Sequence, residues 1–496
     1  MKRLPLIKKI VIETVCLLYI LLLVYAAVSK LLDFENFQVQ IAQSPLLSSF
    51  AGALSWCVPI VEIIISLGLI IPRFRLRALY AGFSLMVMFS CYIVIILNFS
   101  PFIPCSCGGI LETFDWGEHL AFNIFFVLMA IPALLFMEQY SVKWSGKRVL
   151  FRIAGLYISG IGLITVLFFL SENMIRYHNN FVRRFPHHPA VLDKVMDIDY
   201  NSYYIAGEGS GYVFLGNKTA PFNVLVVDSA LEAKREYKIS LPKGSFPFRS
   251  PRLTVRPPYF YVWDGSAALV FRGLIVDWNA KLWNSNTAYF NAFDPISPDK
   301  VVVRAISSER KENVLGILSV DSTPRLQLFP VLDKQLDGIF DTHGTMLYNS
   351  KRKKIIYAYS FKNEYLVADE RFMKRHVSHT IDTFSKVRIK VKHVASTKES
   401  NLASPGYVVN SMAKTFGDYL FVKSEIMGNY ETKEMWRESS IIDVYDINSY
   451  SYRFSFYLTD IKNLKMSDFI LNNNRAFVLT GKYLSSFKLT HNFYSN

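Results

Sequence analysis

The sequence predicts a membrane α-helical bundle with five spanning helices, followed by an all-β domain that forms a six- or seven-bladed β-propeller. The first third of the 496 residues is a series of apolar runs, whereas the remainder alternates short runs of Tyr, Phe, Val and Ile with polar turn residues. Comparable units in this second part recur at about 45–60 residues, close to the length of a propeller blade. A pair of large β-sandwiches is the alternative fold.

Five apolar runs approach the roughly 20 residues that a helix needs to cross a bilayer. The predicted spans are Ile10–Leu32, Leu54–Ile71, Ala78–Asn98, His119–Met137 and Phe151–Leu170. The first is longer than the apolar part of a signal peptide, so we expect an uncleaved helix. The predicted domains are a four-helix membrane domain (1–140), a loop and fifth helix (141–175), a linker (176–195) and the propeller (196–496).

The distribution of Lys and Arg predicts the orientation in the membrane. Cations lie in the N-terminal tail and in the loops after the second and fourth helices, whereas the loops 33–53 and 99–118 contain no Lys or Arg. Because cytoplasmic loops carry the excess of cations, the N-terminus is predicted to be cytoplasmic. The expected location is therefore a bacterial-type inner membrane, crossed several times, with the C-terminal domain in the periplasm.

Two cysteines, Cys105 and Cys107, lie behind a proline and ahead of two glycines in the loop after the third span. A disulfide closed across one intervening residue departs from relaxed geometry, and such a bond is easily reduced. The pair is therefore a candidate redox pair, and the alternative interpretation is a tight turn with two structural thiols. No metal site is predicted, because further ligands are not visible near the pair.

Ionisable groups inside spanning helices are costly and usually face the interior of a bundle. Glu62 lies near the middle of the second span and Lys30 at the outer end of the first. An ion pair between them is conceivable, and Asn123 in the fourth span is a plausible partner across helices. Cys57 and Cys91 are either a second, membrane-embedded pair or small packing residues, and packing is the favoured interpretation.

The first 140 residues resemble the MauE/DoxX family of redox-associated membrane proteins. The resemblance rests on the run Ala26–Asp33, on Pro59-x-x-Glu62, on Cys105-x-Cys107-Gly108 and on the position of Asn123. It implies a four-helix bundle similar to oxidoreductases that pass electrons between disulfides and membrane quinones. It also implies Cys105 and Cys107 as the catalytic pair, with Glu62, Lys30 and Asn123 as supporting groups and a membrane quinone as cofactor.

The β-rich region shows no catalytic constellation, so we expect a platform that binds a partner. Five apolar runs are predicted strands: 212–215, 259–263, 355–359, 419–422 and 476–479. The glycine-rich run Gly207–Gly211 has no helix after it and is predicted to be a turn rather than a nucleotide-binding loop. The net charge of +15 invites a nucleic-acid interpretation, but many cations flank membrane spans and no nucleic-acid-binding motif is present.

Two functions follow as expectations. The first is a redox-associated protein that supports thiol–disulfide exchange, or the maturation of a thiol-containing periplasmic or secreted client, with the propeller selecting that client. The second is a non-enzymatic scaffold of an envelope assembly or export complex, in which the cysteine pair is structural. A transporter is disfavoured, because five helices with one strong intramembrane carboxylate make a thin pathway.

Overall fold

A computed structural model describes most of the chain, and it divides the chain into two units, Met1–His187 and His188–Asn496. The described residues are 5–34, 37–38, 41, 50–99, 115–139, 146–177, 181–186, 190–320, 324–389, 391–394, 399–402, 407–472 and 474–489.

In its described residues, the first unit contains five helices that are long and apolar enough to span a membrane. They are α1 (Leu6–Leu32), α2 (Ala51–Ile70), α3 (Arg75–Phe99), α4 (Trp116–Glu138) and α5 (Gly146–Tyr177). The five predicted spans are therefore confirmed, each falling inside or within one residue of its helix. The start of α4 is fixed by a capping box, in which Asp115 and Glu118 each accept a hydrogen bond from the other's backbone N–H.

The helices share one apolar core, in which α1 packs against α2 and α4, and α3 packs against α2, α4 and α5. Tyr19 of α1 is fully buried at its centre, and its hydroxyl donates to the carbonyl of Phe126 on α4 at 2.9 Å. The two rings meet edge to face with 5.3 Å between centroids. A buried hydroxyl without a partner would be costly, so this hydrogen bond joins α1 and α4 in one register.

One end of the bundle is held by hydrogen-bonded polar pairs between helices and helix ends. These are Arg75 with Glu13 at 2.9 Å, Lys8 with Gln139 at 2.6 Å and Arg152 with Glu138 at 2.6 Å. The cations of the tail and of both cation-containing loops thus meet at the same end, which is the arrangement that the alternation of Lys and Arg along the sequence predicts.

The second unit is a six-bladed β-propeller, so the predicted fold is confirmed and the blade count is six. Each blade is a four-stranded antiparallel sheet. The first three blades are β2 (Tyr203–Gly209), β3 (Tyr212–Asn217), β4 (Asn223–Asp228) and β5 (Lys234–Lys238); β6 (Arg252–Arg256), β7 (Tyr259–Asp264), β8 (Leu269–Leu274) and β9 (Ala280–Ser285); and β10 (Phe290–Ser297), β11 (Lys300–Ile306), β12 (Asn313–Val320) and β13 (Pro324–Phe329).

The next two blades follow the same order, and a two-stranded hairpin is inserted between them. They are β14 (Gly344–Asn349), β15 (Lys354–Tyr359), β16 (Glu364–Asp369) and β17 (Arg375–His379), then the hairpin β18 (Val391–Val394) and β19 (Glu399–Leu402), and β20 (Asn410–Phe416), β21 (Tyr419–Ser424), β22 (Ser439–Asp446) and β23 (Ser451–Thr459). A short helix, α6 (Lys433–Glu438), precedes β22.

The sixth blade closes the ring with strands from both ends of the unit. It consists of β24 (Asp468–Asn472), β25 (Arg475–Thr480), β26 (Tyr483–Leu489) and β1 (Ala190–Asp197), in the sheet order β1-β26-β25-β24. The pairing of β1 with β26 is antiparallel and runs from Ala190 opposite Leu489 to Asp197 opposite Tyr483. The strand β1 begins inside the stretch 176–195, for which the sequence predicts a linker. This pairing ties the first strand of the unit to the last and so closes the ring.

The apolar cores of the propeller lie between neighbouring blades. One cluster joins the first two blades and contains Phe214, Phe260 and Phe271, and another joins the second and third blades around Tyr261 and Val303. The second strand of a blade is buried on both faces by such packing, as the pattern of β21 illustrates, with all six residues buried. This is why the second strands read as continuous apolar runs.

Aspartates end the third strand of several blades and organise the following turn. The side chain of Asp228 accepts hydrogen bonds from the N–H groups of Glu232 and Ala233, and Asp446 accepts from those of Asn448 and Ser449. An aspartate can bond the backbone a few residues ahead, which favours a tight turn. The Val-Val-Asp and Val-Tyr-Asp strand ends in the sequence therefore mark these turns.

Candidate functional site

The predicted redox pair, Cys105 and Cys107, lies outside the described residues. The helices on either side of the segment that carries it are described, and they place its ends. Helix α3 ends at Phe99 and α4 begins at Trp116. The rings of Tyr92 and Trp116 have centroids 6.5 Å apart, so α4 begins beside the last turns of α3. The cysteine-containing segment therefore connects two neighbouring helix ends on one side of the bundle.

The supporting residues Lys30 and Glu62 form an interhelical ion pair. The ammonium of Lys30 on α1 donates to Glu62 Oε1 on α2 at 2.6 Å. The Glu62 side chain has no solvent-exposed area, and that of Lys30 is 16% exposed. The possible contact that the sequence suggested between these residues is thus present. A buried carboxylate requires such a partner, because an unpaired charge in a low-dielectric interior is very costly.

The surroundings of this pair are largely apolar. The Lys30 ammonium lies 5.8 Å from the ring centroid of Phe37 and 5.9 Å from that of Phe89 on α3, where the ring faces favour a cation. Phe89 precedes the end of α3 by ten residues, or about 15 Å of helix. The second oxygen of Glu62, Oε2, is buried and has no hydrogen-bond partner among the described residues. One acceptor inside the bundle is therefore unused.

Asn123 on α4 is buried, as expected for a polar residue that faces the bundle interior. Within the described part of the chain, however, no hydrogen bond joins its side chain to Glu62. The structure brings Lys30 and Glu62 together and leaves Asn123 as a separate buried polar group on the fourth helix.

Three other cysteines, Cys16, Cys57 and Cys91, are free thiols. Cys57 is exposed on the surface of the bundle, whereas Cys91 packs at the edge of a small apolar cluster with Trp116. Cys57 and Cys91 are both free thiols, so they do not form the second disulfide that the sequence left open. Cys91 packs against apolar side chains, as the favoured interpretation expects, whereas Cys57 is exposed.

An apolar groove of about 540 Å³ lies between α2, α3 and α5. Its walls include Val61 and Ile65 of α2, Leu85 of α3 and Leu156 of α5, and the hydroxyl-bearing Tyr80 lies at one end. The polar residues of its lining are Arg77, Tyr80 and Ser84.

A buried polar cluster at the same end of the bundle was not singled out in the sequence. Glu138, at the end of α4, is almost fully buried, accepts from Arg152 of α5 at 2.6 Å and accepts from the Tyr80 hydroxyl at 3.3 Å. A sequence feature could have predicted this cluster. An acidic residue lies in the last turn of the fourth spanning helix, and an arginine lies fourteen positions later, near the start of the fifth helix. This cluster fixes α5 against the other helices.

These elements define the chain as a multi-pass membrane protein that carries a six-bladed β-propeller. Residues 8–136, about a quarter of the chain, match the family model of methylamine utilisation protein MauE. The resemblance of the helical region to this family is therefore confirmed, and the match includes Lys30, Glu62, Asn123 and the cysteine pair. None of the curated proteins matches the sequence.

Several solved structures are similar to the propeller. One is a member of the DUF4221 family from Bacteroides vulgatus, with 11% identity, a TM-score of 0.39 and coverage of 61% of this chain and 97% of that one. A catalytically inactive virginiamycin B lyase from Staphylococcus aureus, solved with quinupristin, has 11% identity, a TM-score of 0.36 and coverage of 60% and 99%. A putative exported protein from Bacteroides fragilis has 11% identity, a TM-score of 0.35 and coverage of 61% and 94%.

Proposed function

We propose that this chain is an inner-membrane protein that supports thiol–disulfide exchange during the maturation of a periplasmic or secreted client. The observation that carries the proposal is the match of residues 8–136 to the MauE family, over a region that includes the Cys105-x-Cys107 pair. The propeller is the surface that binds the client or an envelope protein complex. The N-terminus is cytoplasmic, and the cysteine pair and the propeller are in the periplasm.

The chemistry assigned to the pair is an exchange in which atoms and electrons balance. A client thiolate attacks one sulfur of the Cys105–Cys107 disulfide, which gives a mixed disulfide and releases the other cysteine as a thiolate. A second client thiolate then displaces the bound cysteine, so the client becomes a disulfide and the pair becomes a dithiol. The reverse sequence reduces a client disulfide by the same two steps.

Lys30 and Glu62 support this function by fixing α1 against α2 below the cysteine-containing segment. The ammonium of Lys30 is engaged by Glu62 at 2.6 Å, so its charge is shared with that carboxylate and is not a free cation for stabilising a thiolate. We assign Lys30 and Glu62 a positioning role. Asn123 is a further buried polar group of the bundle, and we assign it the same positioning role.

The apolar groove between α2, α3 and α5 is the proposed site for a membrane quinone. When bound, a quinone supplies an acceptor or donor for the electron pair that the cysteines exchange. Leu85 and Leu156 would contact the isoprenoid tail. Purification of the full chain from membranes with its quinone content measured tests this assignment. Leu156→Trp, which fills the groove, is expected to lower that content, and an unchanged quinone content in the variant would contradict it.

The exchange is tested by trapping the mixed disulfide. In the full chain expressed in its membrane, Cys107→Ser leaves Cys105 without its resolving partner, and Cys105→Ser does the converse. We expect one of these variants to accumulate an adduct that is larger on a non-reducing gel and disappears with dithiothreitol. Cys57→Ser is the matched control, because it removes one exposed thiol of the same bundle and should give no adduct.

The scaffold interpretation predicts a different outcome. If neither single variant forms an adduct and a variant with both cysteines changed to serine folds and still supports client maturation, the pair is structural. The mass of the intact protein before and after thiol alkylation gives the state of the pair in the same preparations. A pair that resists both alkylation and reduction in the native protein would also contradict the exchange.

A further inference from the structure

The centre of the propeller contains a cavity of about 630 Å³, which we call the central cavity. All six blades contribute to its wall through their innermost strands. One lining residue from each blade, in chain order, is Glu208, Arg256, Asp294, Leu347, Lys414 and Ile470. The volume falls in the range of about 300–1,000 Å³ that is typical of small-molecule sites. The wall is partly apolar and carries a few charged groups, as such sites do.

Most of these charges are paired within the wall. Arg256 Nη2 donates to both oxygens of Asp294, at 2.9 and 3.1 Å, and to the carbonyl of Tyr348 at 3.2 Å. Asp294 Oδ2 also accepts from the Tyr348 N–H at 2.7 Å. Asp294 therefore has its hydrogen-bonding capacity largely used, and the charge of Arg256 is balanced by it.

The wall contains two more cations, Lys351 and Lys414, and both are paired. Lys351 lies 3.3 Å from Asp418 Oδ2. The ammonium of Lys414 lies 3.0 Å from Asp468 Oδ1, and the other oxygen of Asp468 accepts from the Ile205 N–H at 3.1 Å. This pair joins the fifth and sixth blades and connects back to the first. Like the pair of Arg256 and Asp294, it leaves no net charge.

Glu208 is different, because its side chain makes no hydrogen bond or ion pair with any residue that the structure describes. It lies in β2, close to the end of that strand, and it lines the central cavity. Burial raises the pKa of Glu208, while the charge of Arg256 acts in the opposite direction. The cavity therefore holds a partly desolvated carboxylate, and Arg256, the cation that acts on it, is already paired with Asp294.

We propose that the central cavity binds a ligand through a primary ammonium group, which pairs with Glu208. An ammonium supplies three donors and the missing positive charge, and pairing would remove the cost of the isolated carboxylate. A hard divalent cation fits less well, since it needs several oxygen ligands and the carboxylates of Asp294 and Asp468 are engaged. Among the described residues, Arg256 makes hydrogen bonds through Nη2 alone, so its Nε and Nη1 can donate to a carbonyl or carboxylate of the same ligand. This inference does not depend on the thiol exchange.

The test is isothermal titration of the full chain in a non-ionic detergent with three probes. Cadaverine represents a free amine, tetra-alanine represents a peptide N-terminus, and N-acetyl-tetra-alanine has no ammonium. We expect saturable binding of cadaverine, tetra-alanine or both, and at least about tenfold weaker binding of the acetylated peptide. Binding of cadaverine alone identifies a free amine as the ligand, and binding of tetra-alanine identifies a peptide terminus.

The variant Glu208→Gln keeps the size of the side chain and removes its charge, and we expect it to weaken amine binding at least about tenfold. Glu309→Gln removes one exposed carboxylate elsewhere in the propeller and is expected to leave binding unchanged. The inference is overturned if neither amine binds, or if Glu208→Gln binds as tightly as the unsubstituted chain. The comparison of free and acetylated tetra-alanine uses the unsubstituted chain. If tetra-alanine binds and its acetylated form binds equally tightly, the inference is also overturned. This result does not depend on whether Glu208→Gln folds.

Discussion

The ammonium of Lys30 lies 2.6 Å from Glu62 Oε1, and this contact joins the first two membrane helices through a carboxylate with no exposed surface. Pairs of this kind are asymmetric in their energetics. Loss of one partner leaves a buried charge uncompensated, whereas replacement of both by apolar groups of similar size is often nearly neutral. The pair therefore allows a sharp test of how the bundle is held together.

We expect Lys30→Met to destabilise the helical unit by about 3–5 kcal/mol, because Glu62 then remains buried without its cation. The double variant Lys30→Met, Glu62→Met should recover most of that loss. Thermal unfolding of the full chain in detergent, followed by the helical circular dichroism signal, measures both. Glu13→Gln is the control, since Glu13 pairs with Arg75 but is about half exposed, and its loss should cost about 1 kcal/mol or less. A double variant as unstable as the single one would contradict the ion-pair explanation.

Asp294 links three blades, because it accepts from Arg256 of the second blade and from the Tyr348 N–H of the fourth. Asp294→Ala leaves a guanidinium and a buried N–H without this partner, so we expect a loss of about 3 kcal/mol or more. Urea unfolding followed by tryptophan fluorescence measures it. Asp299→Ala is the control. Asp299 lies in the same blade as Asp294, but it is an exposed partner of Arg272, so its loss should change stability by less than about 1 kcal/mol. Equal effects of the two changes would show that Asp294 does not link the blades.

Asp418 gives the propeller a defined acid sensitivity. The hydrogen bond from Arg352 lowers the pKa of Asp418 from its ordinary value of 3.8 to about 2. Because the folded-state pKa is depressed, the stabilisation is complete well above pH 4 and is lost as the pH falls from about 4 towards 2. The difference in urea midpoint between the unsubstituted chain and Asp418→Asn should be constant from pH 7 to 5 and shrink below pH 4.

Arg352→Gln provides the complementary measurement, since it removes the main cause of the lowered pKa and keeps the carboxylate. It should show most of the same loss at pH 7 and the same convergence at low pH. A difference between Asp418→Asn and the unsubstituted chain that grows as the pH falls would contradict the assigned direction of the pKa shift.

Gly265 permits a close approach between the second and third blades. A Cβ at this position would lie 1.8 Å from the carbonyl oxygen of Phe290, whose N–H donates to the Gly265 carbonyl at 3.2 Å. Since both clashing partners are tied to the backbone, Gly265→Ala must shift a strand, and we expect a loss of more than about 3 kcal/mol. Gly417→Ala is the control, because a Cβ there meets nothing within 4 Å and the cost is that of its positive φ, about 1–2 kcal/mol. Thermal melts of the two variants that coincide would refute the packing argument.

Apolar runs made much of this fold predictable from the sequence. The five predicted strands are the second strands of five blades, β3, β7, β15, β21 and β25, which are covered on both faces and therefore read as unbroken apolar segments. The helical spans were predictable for the same reason. By contrast, β1 is largely exposed, with the burial of Ala190–Asp197 alternating irregularly, so nothing in its composition distinguished it from a linker.

The functional side chains were harder to predict, because their partners are distant in sequence. Lys30 and Glu62 were recognised as costly in a membrane, but their 2.6 Å contact depends on how α1 and α2 pack. The sequence predicts a turn over Gly207–Gly211, which includes Glu208. In the structure the turn is limited to Ser210 and Gly211, and Glu208 belongs to β2. Glu208 lines the central cavity because the other five blades complete the wall around it. The local sequence at Gly207–Gly211 contains no information about those blades.

The pairing of Ala190–Asp197 with Tyr483–Leu489 has a consequence for biosynthesis. A ribosome must deliver Tyr483–Leu489 before the first strand of the ring can meet its neighbour, so the nascent propeller stays an open arc until that strand has been made. Products that stop before Tyr483 keep an unmatched strand at Ala190–Asp197, and proteases that recognise unpaired backbone can remove them. Only a chain that contains Tyr483–Leu489 can pair that strand.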